Sequence, residues 1–141
     1  MLGIIFSIIA GLAINIQNGL NNRLSSKIGL WETTVVVHGV GFIFGLVLTY
    51  FIGQGNYGRI WEVDRVNLLG GSLGVVIVYS IMMGINYLGA SYSTIIMLVT
   101  QLIVAMLMDR FGLFGLARLP FKANNFLGLV IIGLGIVIFK L

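Results

Sequence analysis

The chain has no cysteine, one proline and one histidine among its 141 residues, and only 9% of its residues are charged. Without cysteine there is no disulfide and no thiolate metal site, although the same fact says nothing about redox compartment. Charge is scarcer than in soluble domains, where about 25% of residues are charged and about 45–50% apolar. Here 59% are apolar and the mean hydropathy is +1.10, a balance that predicts an integral membrane protein. A chain this short with several crossings has little left for a soluble domain, so any site is expected within or at the rim of the membrane. The net charge of +4 arises at or near the ends of apolar runs, where anchoring charges belong, and does not point to nucleic acid. No basic stretch precedes the first apolar run, which reads as a retained helix rather than a signal peptide.

The longest stretch without charge sets the expected topology. Between Val66 and Met108 there is no Asp, Glu, Lys, Arg or His. One continuous helix would run roughly 65 Å at ~1.5 Å per residue, about twice the hydrocarbon core of a bilayer, so the stretch must fold back. Its turn chemistry lies at Asn86-Tyr87-Leu88-Gly89-Ala90-Ser91, with Ser91 placed to cap the second helix. Two apolar runs precede this hairpin and one follows it. The expectation is an all-α polytopic membrane protein, one transmembrane domain over 1–141, with helices near 2–22, 32–51, 66–87, 91–108 and 124–139. Five crossings, an odd number, put the two chain ends on opposite sides of the membrane.

Polar side chains within these spans are few and unevenly placed. On the first helix Asn15, Asn18 and Asn22 fall at i, i+3 and i+7, with Gln17 and Asn21 alongside, a wedge that lipid would not tolerate. Intramembrane amides serve equally as interhelical glue and as ligand contacts. The first loop is expected over 22–31, with Trp31 as an interfacial aromatic and Glu32 as a solvated rim carboxylate. On the second helix Thr34, His38, Gly41 and Gly45 share a face, and His38 lies about 9 Å inward from Glu32. A lone intramembrane histidine is either hydrogen-bonded structure or a proton carrier.

The next loop, 53–65, reads as a short surface turn, and the third helix adds Tyr79 and Ser80. Gly70-Gly71-Ser72-Leu73-Gly74 matches G-x-S-x-G but lies in a helix, so it reads as close packing and not as a nucleophile paired with His38. On the fourth helix Gln101 sits near mid-span, where an amide must meet a partner, water or solute. The loop after it carries Arg118, Pro120 and Lys122 around Phe111, Phe114 and Phe121. Gly128 and Gly135 on the fifth helix lie one heptad apart and form the expected dimer seam.

With five spans, Arg59, Arg65, Arg110, Arg118 and Lys122 fall on the side of the N-terminus, and Arg23, Lys27 and Lys140 on the other. So even a division gives only a weak positive-inside bias. A chain that inserts either way up can pair with an inverted copy of itself, and two five-helix units related in this way form the 5+5 inverted repeat found in many secondary transporters. The alternative is one fixed orientation with a separate partner.

Several stretches carry a family resemblance. Gln17-x-x-Leu20-Asn21-x-x-Leu24, Trp31-Glu32-Thr33-Thr34 through His38-x-x-Gly41, Gln101 followed by Asp109-Arg110-Phe111-Gly112-Leu113, and Leu127-Gly128 through Gly133-x-Gly135 resemble the small bacterial YdcZ-like family of the drug/metabolite transporter superfamily. The likeness covers almost the whole chain and is most specific from Gln101 to Gly112; Thr100 stands where many members have glycine. It implies five-helix units of a ten-helix fold, paired as inverted dimers, and transport of small organic molecules.

The sequence therefore leads to an expected secondary transporter of the bacterial inner membrane, not an enzyme, without catalytic residues, metal or cofactor. It would act as an antiparallel homodimer by alternating access. The expected solute site is lined by Asn15, Gln17, Asn18, His38, Tyr79 and Gln101, with Glu32 and His38 as coupling candidates. An amide-rich lining suits a polar or weakly charged organic solute rather than a metal ion. The rivals are a non-transporting membrane subunit, whose amides only bind helices together, and half of a heterodimeric transporter. Tags at Met1 and Leu141 are expected to be reachable from both compartments of the same cells. A single orientation in every molecule, with no crosslinked inverted partner, would remove the homodimer.

Overall fold

A computed structural model describes residues 1–120 and 123–140. The expectations resting on Phe121 and Lys122 and the tag position at Leu141 lie outside the described residues. Among these residues the chain is helical apart from its connections, without a strand. Its helices are α1 (Leu2–Ile28), α2 (Leu30–Ile52), α3 (Leu69–Leu88), α4 (Ala90–Phe111) and α5 (Ala123–Lys140), with 3-10 turns at Tyr57–Glu62, Arg65–Leu68 and Leu113–Gly115. Four segments are long and apolar enough to cross a membrane: Leu2–Ile28, Leu30–Ile52, Arg65–Leu88 and Ala90–Phe111. The apolar part of α5, Asn124–Phe139, is shorter. The chain divides into two compact units, Met1–Asn86 and Tyr87–Leu141.

The first unit is held together by α1, α2 and α3. α1 and α2 pack as a hairpin. α3 joins them through three contacts: an Asn22–Asn86 hydrogen bond, a Trp31–Tyr79 ring stack and the approach of His38 to Gly74. Along α2 the contact positions rise while along α3 they fall, so the two helices run antiparallel. In the second unit α4 packs on α5. The C-terminus of α4 is closed by Gly112 in the left-handed conformation (φ 64°, ψ 38°), its N–H donating to the Met108 carbonyl. The chain then turns back, and the Leu119 N–H donates to the Asp109 carbonyl at 3.0 Å.

The helix ends correct the sequence reading. α1 does not stop at Asn22 but continues through the expected first loop to Ile28. The polar run there does not break the helix, because Ser25 and Ser26 donate their hydroxyls to the carbonyls of Asn22 and Arg23, at 2.9 and 2.8 Å. The break is the single residue Gly29, at φ 98° and ψ 162°, a region of backbone space that is essentially restricted to glycine. Gly89 joins α3 to α4 in nearly the same conformation, φ 79° and ψ 162°. Ser91, expected as a cap, makes no capping bond: the N-cap position is Gly89 itself, and α4 starts at Ala90. Residues 53–65 are not a simple turn either, since they hold one 3-10 turn and the start of a second, and Asn56 caps the first by accepting from the Gly58 N–H at 2.8 Å.

Burial runs opposite to that of a soluble protein. Among the described residues Met82 is the only buried apolar side chain, whereas Asn18, Asn21, Ser25, Thr33 and Thr34 are buried and polar. Long faces of Ile, Leu, Val and Phe are exposed on every helix. An exterior this apolar fits lipid as its solvent.

Gly29→Ala is expected to cost about 1–3 kcal/mol for its backbone conformation; the Glu32 carboxylate that the added Cβ would meet is the exposed end of a flexible side chain and swings aside. At Gly89 the space is open, so Gly89→Ala should carry a similar backbone cost. Unfolding of the two variants in detergent checks this; a loss near zero in either would contradict it.

Candidate functional site

Polar and aromatic side chains of the first unit link its helices in pairs along their length: Asn22 of α1 with Asn86 of α3, Trp31 of α2 with Tyr79 of α3, and His38 of α2 with Gly74 of α3. Hydroxyls in a helix commonly donate to the carbonyl one turn back, and these do. Thr33 donates to Gly29 at 2.7 Å and Thr34 to Leu30 at 2.9 Å, while Ser25 is held by Asn22. Each hydroxyl hydrogen is therefore committed to its own helix, and each oxygen keeps only lone pairs to offer. Asn22 Nδ2 donates to Asn86 Oδ1 at 2.8 Å, tying α1 to α3. Asn18 is different. It is 6% exposed, and its Nδ2 has no hydrogen-bond partner.

His38, half-buried on α2, sits one turn beyond Thr34, with Nδ1 2.8 Å from the Thr34 carbonyl. A carbonyl only accepts, so in the neutral ring Nδ1 carries the hydrogen and Nε2 presents its lone pair. Nε2 faces Gly74 of α3, where an added Cβ would lie 3.1 Å from it. Close packing in the Gly70–Gly74 stretch is thus located at Gly74; Gly70 and Gly71 face open space. Tyr79 stacks on Trp31 with ring centroids 4.2 Å apart and an interplanar angle of 19°. Glu32 is exposed in the first turn of α2, where the helix dipole favours a carboxylate.

Of the residues anticipated from sequence, Asn18, His38 and Tyr79 lie in the first unit: Asn18 buried on α1, His38 against Gly74 and Tyr79 against Trp31. Asn15 is exposed on α1 and donates to the Gly11 carbonyl at 2.9 Å. Gln17 is exposed on the same helix. Gln101 lies in the second unit, exposed on α4, next to Thr100, whose hydroxyl donates to the Ile96 carbonyl at 2.9 Å. Gly128 and Gly135 on α5 have open space where a side chain would begin.

Sequence reasoning passed over Thr33, Asn86 and the aromatic partner of Trp31. A signal was present for the first: a pair of threonines one turn inside a helix start is suited to back-bonding. For the other two there was none, because a pairing across helices depends on how the helices lie against each other. Among the described residues no three His, Cys, Asp or Glu side chains gather as a metal site.

The Asn22–Asn86 bond can be weighed directly. A double-mutant cycle with Asn22→Ala and Asn86→Ala is expected to give a coupling of about 0.5–1.5 kcal/mol, the range of interhelical hydrogen bonds in membranes. A coupling near zero would mean that the two amides do not join α1 to α3.

Comparison with known proteins adds one positive result. The family described as "Putative inner membrane exporter, YdcZ", of the DMT type, matches residues 2–138. No curated protein and no solved structure matches the chain. The matched span takes in all four segments able to cross a bilayer, the polar side chains of the first unit and Gln101. The chain therefore belongs to the DMT-type YdcZ family and is a transport protein of the inner membrane.

Proposed function

We propose that the chain is a secondary transporter that moves a small organic solute across the inner membrane by alternating access, as an antiparallel homodimer. The observation that carries this reading is the Asn18 amide, buried on α1 with an Nδ2 donor that has no partner, in a unit whose buried serine and threonine hydroxyls are spent on their own helices. A buried polar atom without a partner costs stability and is retained where it serves a use. The first unit also holds the Asn22–Asn86 amide pair, the His38 imidazole and the Trp31–Tyr79 stack, side chains suited to a polar, uncharged or weakly charged solute.

In this reading the chain is one transmembrane domain of five spans. α5 has 18 residues, within the range of about 17–25 that suffices for a crossing. Asn15, Gln17, Asn18, His38, Tyr79 and Gln101 contribute to the solute site. Gln101 is exposed on α4 and near mid-span, a position where hydrocarbon alone would be a poor neighbour for an amide; an inverted second copy supplies a polar surface at nearly the same depth. The open glycine groove of α5 at Gly128 and Gly135 is the seam between copies. Glu32 and His38 are the groups available for coupling, and export is the direction that the family's description carries.

The test is reconstitution of the purified chain alone, with a solute chosen by a thermal-shift screen of metabolites and drugs. Saturable flux is expected in the parent, and none in a Gln101→Leu variant that keeps its fold. Vesicles that bind no solute and carry none would support the non-transporting subunit instead. If Glu32→Gln with His38→Ala left the rate and its pH dependence unchanged, both coupling assignments would fall.

A further inference from the structure

The second unit contains a cavity of about 320 Å³. It is lined by Ile103, Met106, Leu107 and Arg110 of α4 and by Leu129 of α5. The four α4 residues stand at i, i+3, i+4 and i+7, so they form one face of the helix, and α5 closes the groove from the other side. Three walls from α4 become four with Leu129, all apolar. The fifth lining residue is a guanidinium.

The position of that guanidinium along α4 is informative. From Ala90 to Met108 the helix carries no charge, and Asp109 and Arg110 are the first charged residues it reaches. This marks where α4 leaves the hydrocarbon. From Ile103 to Arg110 the groove runs about 10 Å along the helix axis at ~1.5 Å per residue. Its apolar floor is therefore at the depth of lipid chains, and its cationic end is at the depth of lipid phosphates.

A second cation is held at the same end. The segment after α4 is tied back by the Leu119 N–H to Asp109 carbonyl bond, and the side chain of Arg118 lies over Gly112, with Cγ and Nε close to where a Cβ would be. Among the described residues of this rim the charged groups are Asp109, Arg110 and Arg118, so the rim is net positive. An ammonium-bearing headgroup would bring another positive charge to it. A phosphate without one would meet complementary charge, and the fork of an arginine matches two phosphate oxygens.

We propose that this groove is a binding site for one anionic phospholipid. The acyl chain lies against Ile103, Met106, Leu107 and Leu129, the phosphate is held by Arg110, and Arg118 adds the second positive charge. The proposal does not depend on the transport reading.

The experiment uses the full chain, purified in a neutral detergent and melted with added phosphatidylglycerol, phosphatidylcholine or inorganic phosphate. Phosphatidylglycerol is expected to raise the melting temperature by roughly 5 °C more than phosphatidylcholine, and inorganic phosphate to leave it unchanged. Arg110→Gln should lose that surplus while keeping the response to phosphatidylcholine. Native mass spectrometry of the parent supplies a readout that needs no variant: phosphatidylglycerol should be retained against an equal amount of phosphatidylcholine. Equal retention of the two lipids, a surplus that survives Arg110→Gln, or the same shift from inorganic phosphate would each overturn the proposal.

Discussion

Inside a bilayer a polar group has no water to return to, and most of this structure follows from meeting that demand within the chain. The hydroxyls do so locally. Ser7, Thr33, Thr34, Thr49 and Thr100 each donate to the carbonyl four residues earlier. Their hydrogens are spent on their own helices, so they contribute acceptors and no donors to whatever lies beside them. The amides have more hydrogen to place. Asn15 reaches its own helix and Asn22 reaches Asn86, but Asn18 is buried without a partner for Nδ2.

The same demand explains why polar side chains are buried and apolar ones exposed. Lipid tails are as apolar as leucine, so burying aliphatic surface between helices gains little, and association relies on close packing and hydrogen bonds. The contacts of the first unit are of those kinds: an amide pair, an aromatic stack, and an imidazole fitted against a glycine. Gly29 and Gly89 supply the remaining condition. Each makes a connection of one residue in a backbone conformation open to glycine, so the helices on either side run without a long loop between them.

Two chemically distinct regions result. The first unit carries neutral polar groups on α1, α2 and α3, with Glu32 exposed in the first turn of α2, a setting in which a solute could exchange hydrogen bonds without meeting a fixed charge. The second unit places its cations at the end of α4 beside an apolar groove, the arrangement complementary to a lipid.

Composition and the spacing of charges were enough to establish a membrane-embedded, all-helical chain, because lipid excludes charge over a length that can be counted along the sequence. The helix break near Gly89 and the buried Asn18 of α1 were legible for the same reason: both follow from which residues lipid will accept. Helix ends were not legible, since Asn22 to Ile28 looks like a loop by polarity, whereas a helix boundary here is set by the backbone angles of one glycine. Nor could any reading along the chain pair Trp31 with Tyr79, set His38 against Gly74, or leave Asn18 without a partner. Those outcomes depend on the rotation and register of one helix against another, and only the packed structure decides them.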